Sequence, residues 1–134
     1  MIEFQDVSKT YGATQALKNL NLSIQEGQIV GLIGHNGAGK STTIKSLVSV
    51  INPTAGKILV DGLDLASHRL RIKQKIGYVA DSPDLFLRLT AQEFWDLVAA
   101  SYGLNRQDYE NRLVDLLGLF DFAEHRYEVI ETFS

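Results

Sequence analysis

The sequence contains no cysteine, only two prolines and no long apolar stretch. The lack of cysteine excludes disulfides and thiolate metal sites, and it is compatible with a cytosolic location. No apolar run approaches the roughly 18 residues that are needed to span a bilayer, so we expect any membrane association to go through a partner. The net charge of −3 gives no bulk electrostatic reason to expect nucleic-acid binding, and we predict no such partner. The 134 residues suffice for one ordinary domain.

The most informative segment is a glycine-rich loop that ends in a lysine and two hydroxyl residues. It reads Gly-His-Asn-Gly-Ala-Gly-Lys-Ser-Thr from Gly34 to Thr42, a complete G-x-x-x-x-G-K-[ST] phosphate-binding sequence. The glycines let successive N–H groups point inward around a polyphosphate, Lys40 supplies a positive charge, and the Ser41 hydroxyl is a candidate Mg²⁺ ligand. We therefore predict that the nucleotide-binding residues include Gly34, Asn36, Gly37, Ala38, Gly39, Lys40, Ser41 and Thr42.

The residues on either side of this loop fit the strand–loop–helix context that the motif requires. Before it, Gln28–Ile33 is a nearly continuous apolar run, which is typical of a strand buried on both faces. After it, apolar residues recur at helical spacing, namely Ile44, Leu47, Val48 and Ile51. We predict that this helix begins at about Lys40 and is stopped by residues 53–56.

The remainder of the first 82 residues favours short strands and turns. The residues Ile2, Phe4 and Val7 indicate an edge-like strand, and Leu20, Leu22 and Ile24 alternate with polar residues as in a half-buried strand. We predict a turn at 9–12, a hairpin turn at Asp61-Gly62 after the strand 57–60, a short surface helix at about 67–75 and a further apolar strand at 76–80.

From residue 83 onward the pattern becomes helical. Thr90 to Glu93 form a capping-box sequence, and Asn105 is a candidate cap for a second helix that we expect to end at Gly118. The predicted inward faces consist of Phe94, Trp95, Val98 and Tyr102 on the first helix and Tyr109, Leu113, Leu116 and Leu117 on the second. We predict a β-rich part with the phosphate loop over 1–82 and a helical subdomain over 83–134.

The order of these elements resembles the ATP-binding subunit of ABC transporters along the whole chain. Lys9-Thr10-Tyr11-Gly12 resembles the family's aromatic loop, which implies that the Tyr11 ring stacks on adenine; the alternative is an ordinary surface tyrosine. The segment 56–62 is similar to the family's hairpin after the first helix, and 76–79 resembles the strand that leads to its glutamine loop. Glu131-Thr132-Phe133-Ser134 resembles the approach to the signature sequence, and Ser134 would then serve a partner's nucleotide.

The resemblance implies an α/β fold, that of P-loop NTPases with an ABC-type nucleotide-binding domain whose core is incomplete. It also implies that the chain is the N-terminal part of a longer ATPase, and we expect no catalytic residue within these 134 positions. In the family, the strand before the phosphate loop has sheet neighbours that would come from beyond residue 134. We therefore expect the apolar residues of 28–33 to be exposed and to favour self-association.

Asp81 departs from the family, which has a glutamine at the end of this strand. The family's glutamine ligates Mg²⁺ and helps to position water, and a carboxylate keeps an oxygen ligand while adding negative charge. We therefore name Asp81 with Ser41 as the candidate metal ligands. Two alternatives remain open: Asp81 caps a turn with Ser82-Pro83, or it is the Walker B acid of a compact P-loop kinase or NTPase.

The resemblance implies an ATPase that binds MgATP and powers transport of an unknown substrate across a membrane. Its cofactors would be ATP and Mg²⁺, and its partners a transmembrane permease subunit and a second ATP-binding subunit arranged head to tail. It would be cytoplasmic and held at the inner face of the membrane by the permease. The stretch Thr90-Ala91-Gln92-Glu93-Phe94 resembles exporter-type subunits. The alternative within the family is an ABC-type ATPase that serves a process other than transport.

Overall fold

The computed structural model describes residues 1–81 and 86–133. The chain forms two compact units, Met1–Tyr78 and Val79–Ser134. The domain ranges 1–82 and 83–134 stay a prediction.

The first unit contains a four-stranded antiparallel sheet with the order β2-β1-β3-β4. Its strands are β1 (Ile2–Tyr11), β2 (Thr14–Ile24), β3 (Ala55–Val60) and β4 (Leu63–Asp64). The prediction that β1 is edge-like was wrong, because Phe4 pairs with Leu22 on one side and with Ile58 on the other. Pairing with β3 links residues about fifty positions apart in the sequence, which the local pattern of β1 does not encode.

One face of this sheet carries the core of the first unit. The core consists of Phe4, Val7, Leu17, Ile58, Val60, Leu65 and Ile72. The predicted alternation in β2 is confirmed, because Leu20, Leu22 and Ile24 are half-buried and the residues between them are exposed. The predicted turn Asp61-Gly62 between β3 and β4 is also confirmed. The turn predicted at 9–12 is shorter than expected, because β1 continues to Tyr11, which pairs with Thr14.

Two helices belong to this unit, α1 (Lys40–Leu47) and α2 (Arg69–Lys73). The predicted start of α1 at Lys40 is confirmed, but the helix ends well before residues 53–56. The reason is local: Ser49 adopts a positive φ of 56°, which a right-handed helix does not allow. The predicted inward face is partly wrong as well, since Thr43 and Ser46 are buried while Ile44 is 43% exposed.

The two apolar runs that were predicted as buried strands, 28–33 and 76–80, form no strand in this structure. Ile29 and Ile33 are almost fully exposed, at 102% and 96%, and Val79 is 92% exposed. A strand needs a neighbour to satisfy its N–H and C=O groups, and no described strand pairs with either run. The strand prediction was therefore wrong here, whereas the expected exposure of the apolar residues in 28–33 is confirmed.

The second unit contains the helices α3 (Ala91–Ser101) and α4 (Arg106–Leu119), followed by 3₁₀ turns at Glu124–Tyr127 and Ile130–Thr132. Both predicted caps are confirmed, and each forms a complete capping box. The Thr90 hydroxyl accepts a hydrogen bond from the Glu93 amide at 3.2 Å, and the Thr90 amide donates to the Glu93 carboxylate at 2.8 Å. Helix α4 passes through Gly118 and ends one residue later than predicted.

The predicted inward faces of these helices are only partly buried. On α3, Phe94 and Trp95 are half-buried, whereas Val98 and Tyr102 are 39% and 43% exposed. On α4, Leu117 is buried, and Tyr109 and Leu113 are half-buried. Leu116, by contrast, is 51% exposed. Apolar periodicity thus located the helices, but it did not determine how much of each face is covered.

A polar network joins α3 to α4 and to the 3₁₀ turn that follows. The Asp96 carboxylate accepts hydrogen bonds from Arg106 and from the Tyr109 hydroxyl, and Gln92 contacts both Tyr109 and Arg126. The hydrogen bond from Arg106, together with that from Tyr109, holds the pKa of Asp96 well below its usual range. Burial, followed by the hydrogen bond to Asp96, raises the pKa of Tyr109.

Candidate nucleotide-binding site

The loop from Gly34 to Gly39 leads directly into α1, and two of its glycines have left-handed backbone conformations. Gly37 has a φ of 85° and Gly39 a φ of 90°, conformations that side chains rarely tolerate. Between them, the Ala38 amide donates to the His35 carbonyl at 3.1 Å, which closes a tight turn. The bends allow the chain to reverse sharply before its first helical residue.

The first helical amides have no internal acceptor. The earliest hydrogen bond at this end of α1 runs from the Thr43 amide to the Gly39 carbonyl, at 2.8 Å. Within the residues that the structure describes, the N–H groups of Lys40, Ser41 and Thr42 have no hydrogen-bond acceptor. Unpaired N–H groups at a helix start, together with the positive end of the helix dipole, form an anion-binding site.

The Lys40 ammonium group lies over the same loop. Its Nζ atom donates to the Gly34 carbonyl at 2.6 Å and to the His35 carbonyl at 2.8 Å, and the side chain is half-buried. These two bonds leave one of the three ammonium hydrogens for another acceptor. A phosphate oxygen bound at the helix start can therefore receive a charge-assisted hydrogen bond from Lys40.

The loop is packed against β2 at its glycine nearest the helix. A methyl group added at Gly39 would lie 2.7 Å from the Ala16 carbonyl oxygen and 2.8 Å from the Leu17 Cδ2 atom. Leu17 pairs with Lys9 in the β1–β2 hairpin, and Tyr11 lies at the end of the same hairpin, paired with Thr14. Contact with β2 thus ties the phosphate loop to the strand pair that carries Tyr11.

Tyr11 presents a large part of its ring to solvent. The residue is 48% exposed, and the Lys9 ammonium lies 5.0 Å from the ring centroid. An exposed aromatic face is what base stacking requires. Its placement at the hairpin end, next to the strand segment that touches Gly39, is compatible with both the predicted role and an ordinary surface position.

The other predicted site residues include Asn36, which follows His35 in the loop, and Asp81. The side chains of His35 and Asn36 are exposed, and the His35 Nδ1 atom lies 2.8 Å from the Asn36 carbonyl oxygen. Asp81 is exposed and belongs to the second compact unit, so its assignment to a metal site stays a prediction. Ser82-Pro83 and Ser134 lie outside the described residues.

The chain also resembles proteins of known family. The family model described as ABC transporter matches residues 17–134. The chain belongs to the ABC transporter family. The match includes the phosphate loop, α1 and the second unit, and it leaves out only the first 16 residues, where β1 and Tyr11 lie.

Curated relatives of this ABC chain include ATP-binding proteins of bacterial transport systems. It is 34% identical to the ABC transporter ATP-binding protein NatA of Bacillus subtilis, with 98% of this chain and 52% of NatA covered. It is 32% identical to the bacitracin transport ATP-binding protein BcrA of Bacillus licheniformis, with 89% of this chain and 39% of BcrA covered. The chain spans about half the length of the curated relatives it matches, or less.

Solved structures share the fold of this ABC chain. An ATP-binding subunit of an ABC transporter superposes with a TM-score of 0.89 at 35% identity and covers 100% of this chain and 56% of its own. An ATP-binding cassette solved as a dimer in a post-hydrolysis state with ADP and Pi gives a TM-score of 0.86 at 26% identity, with 100% and 63% covered. The predicted P-loop NTPase fold of the ABC type is confirmed.

Two further features of the described residues concern membranes and metals. No helix among them is both long and apolar enough to cross a membrane. No group of three or more His, Asp or Glu side chains in the described ranges could hold a metal ion by itself.

Three residues around this site were not predicted from the sequence. Ala16 and Leu17 form the wall against which Gly39 packs, and Lys9 contacts the ring of Tyr11. The contact of Gly39 with β2 joins positions more than twenty residues apart, and no local pattern signals it. The spacing of Lys9 and Tyr11 was visible, since residues two apart on a strand lie on one face.

Proposed function

We propose that the loop and the start of α1 bind the triphosphate of MgATP. The observation that carries this proposal is the set of three adjacent N–H groups, those of Lys40, Ser41 and Thr42, that have no acceptor among the described residues. The Lys40 ammonium adds a formal charge beside them. Backbone N–H groups, the helix dipole and Lys40 all favour the same ligand, a polyanion.

The base of the nucleotide would stack on the exposed ring of Tyr11. Support comes from the hairpin register, because Thr14, the partner of Tyr11, lies only two residues from Ala16, whose carbonyl oxygen is close to Gly39. Two residues of a strand span about 7 Å, which is within the reach of a nucleoside between its base and its phosphates.

Magnesium would be held by Ser41 together with phosphate oxygens. The Ser41 hydroxyl is exposed and stands at the second position of α1, directly after Lys40, and oxygen is the ligand type that Mg²⁺ prefers. Asp81 is the proposed second protein ligand. When bound, the ion would neutralise charge on the β- and γ-phosphates.

In a longer protein, we propose that this chain contributes nucleotide binding to an ATPase that drives transport across a membrane. Support comes from the relatives, whose names include bacitracin transport and linearmycin resistance. The cassettes solved as dimers support pairing with a second ATP-binding subunit. A transmembrane permease would complete the transporter and would hold the subunit at the cytoplasmic face, and export is the proposed direction.

Calorimetric titration with MgATP tests the nucleotide site. Lys40→Ala is expected to weaken binding by about 10- to 150-fold, since a charge-assisted hydrogen bond contributes roughly 1.5–3 kcal/mol. Lys45→Ala is the matched control, because Lys45 is an exposed lysine in the last turn of the same helix. Equal affinity of wild type and Lys40→Ala, or an equal loss in the control, would contradict the proposal.

A further inference from the structure

The ring of Tyr11 has a cation on one face. The Lys9 ammonium lies over this ring, 5.0 Å from its centroid. The same ammonium donates a hydrogen bond to the Asn52 carbonyl oxygen at 2.7 Å. Lys9 is therefore held between a backbone acceptor and an aromatic face, so its position is fixed at two points.

The backbone around this contact is itself braced. The Thr54 amide donates to the Ser8 carbonyl at 2.8 Å, and the Thr10 amide donates to the Thr54 hydroxyl at 3.1 Å. These bonds hold the segment 52–54 against the end of β1. Because Thr54 is joined to Ser8 and Thr10, the nearby Asn52 carbonyl that accepts from Lys9 is held close to the strand segment that leads to Tyr11.

We propose that Lys9 is a positioning residue for the nucleotide base, a proposal that rests on the proposed function of Tyr11. Lys9 occupies one face of the ring, so the base stacks on the opposite face. The cation draws π-electron density toward itself, which makes the opposite face a better partner for the electron-rich face of a purine. The braced ring also loses less rotamer freedom on binding than a free tyrosine does.

Removal of Lys9 would have different effects on ligand binding if its role were purely structural. If Lys9 only strengthened the hairpin, its removal would affect every ligand of the site alike. If Lys9 positions the ring, its removal affects only ligands that have a base. Comparison of ATP with tripolyphosphate, which has the same phosphate chain without base or ribose, separates the two roles.

The test is calorimetric titration of Lys9→Met with MgATP and with magnesium tripolyphosphate. Methionine keeps an unbranched apolar side chain and removes the charge. The expected result is MgATP binding that is about two- to fivefold weaker, the range that an exposed cation–π contact allows, with tripolyphosphate affinity unchanged. Lys9→Arg is expected to restore MgATP affinity. Lys73→Met, which removes an exposed lysine from α2, is the control for charge alone and should match wild type.

Unchanged MgATP affinity in Lys9→Met, or an equal loss for both ligands, would overturn the proposal. The proposed function is tested separately in the wild-type chain. It would be contradicted if that chain did not bind MgATP, or if it bound MgATP no more tightly than tripolyphosphate. A second measurement needs no variant: the Lys9 methylene proton resonances, shifted upfield by the ring, should stay shifted when MgATP is added. Their return to ordinary values would mean that the base displaces Lys9, and this would also overturn the proposal.

Discussion

Gly39→Ala is the substitution whose effect the structure specifies most closely. Gly39 has a φ of 90°, and for an alanine the left-handed region costs roughly 1–2 kcal/mol. The added methyl would also lie 2.7 Å from the Ala16 carbonyl oxygen and 2.8 Å from Leu17 Cδ2, and overpacking of this kind costs roughly 1–3 kcal/mol. The expected destabilisation is therefore about 2–5 kcal/mol, a large part of the roughly 5–15 kcal/mol of a typical domain.

Gly37→Ala is the matched control within the same loop. Gly37 has nearly the same φ, 85°, but a methyl group there would meet no atom within 4 Å. Its expected cost is only the backbone term of roughly 1–2 kcal/mol. The difference between the two variants therefore isolates the contact of the loop with β2.

The assay has two parts, urea unfolding followed by circular dichroism and calorimetric titration with MgATP. Gly39→Ala should lower the free energy of unfolding by about 1–3 kcal/mol more than Gly37→Ala does, because only Gly39 packs on β2. If the loop instead moves away from β2 to relieve the contact, Gly39→Ala should lose more MgATP affinity. Equal stability and equal affinity in the two variants would mean that the packing of Gly39 on β2 contributes nothing.

Three further predictions concern Asp81, Asp61 and the exposed pair Ile29 and Ile33. MgATP affinity should depend on Mg²⁺ more strongly in wild type than in Asp81→Gln, and equal dependence in calorimetric titrations would remove Asp81 from the site. The hydrogen bond from Lys75, with that from the N-terminal amine, lowers the pKa of Asp61 from 3.8 to about 2, so NMR titration of Lys75→Met should show it rising. Because this pKa is depressed, the stabilisation of the fold by ionised Asp61 is present above its ordinary pKa and is lost as the pH falls through about 2. An Asp61 pKa that is unchanged in Lys75→Met would refute the pairing of the two residues. Ile29→Lys with Ile33→Lys should reduce self-association in sedimentation velocity, since both side chains are exposed, and unchanged sedimentation would count against it.

The features that the sequence predicted correctly depend on neighbouring residues. The capping boxes at Thr90 and Asn105 need only residues three positions apart, and both are present in the structure. The turn at Asp61-Gly62 and the start of α1 at Lys40 are equally local. The bends at Gly37 and Gly39 lie within one contiguous motif, whereas the phosphate-binding role of this loop stays a prediction.

The features that the sequence did not predict depend on distant partners. Residues 28–33 have the composition of a buried strand, but composition does not supply a neighbouring strand, and the segment is exposed. The interior place of β1 depends on its pairing with β3, which lies about fifty residues away in the sequence. At the site, the packing of Gly39 on Ala16 has the same origin, since the hairpin brings together residues that the motif does not connect.

We propose that the amides at the start of α1 receive the phosphates of MgATP. Nitrogen-15 NMR, with the magnesium complex of a non-hydrolysable ATP analogue added stepwise, tests it most directly. We expect saturable shifts of the Lys40, Ser41 and Thr42 amide resonances, because these N–H groups, which have no acceptor among the described residues, would donate to phosphate oxygens. Resonances that stay unchanged at saturating analogue, while others in the chain move, would contradict it.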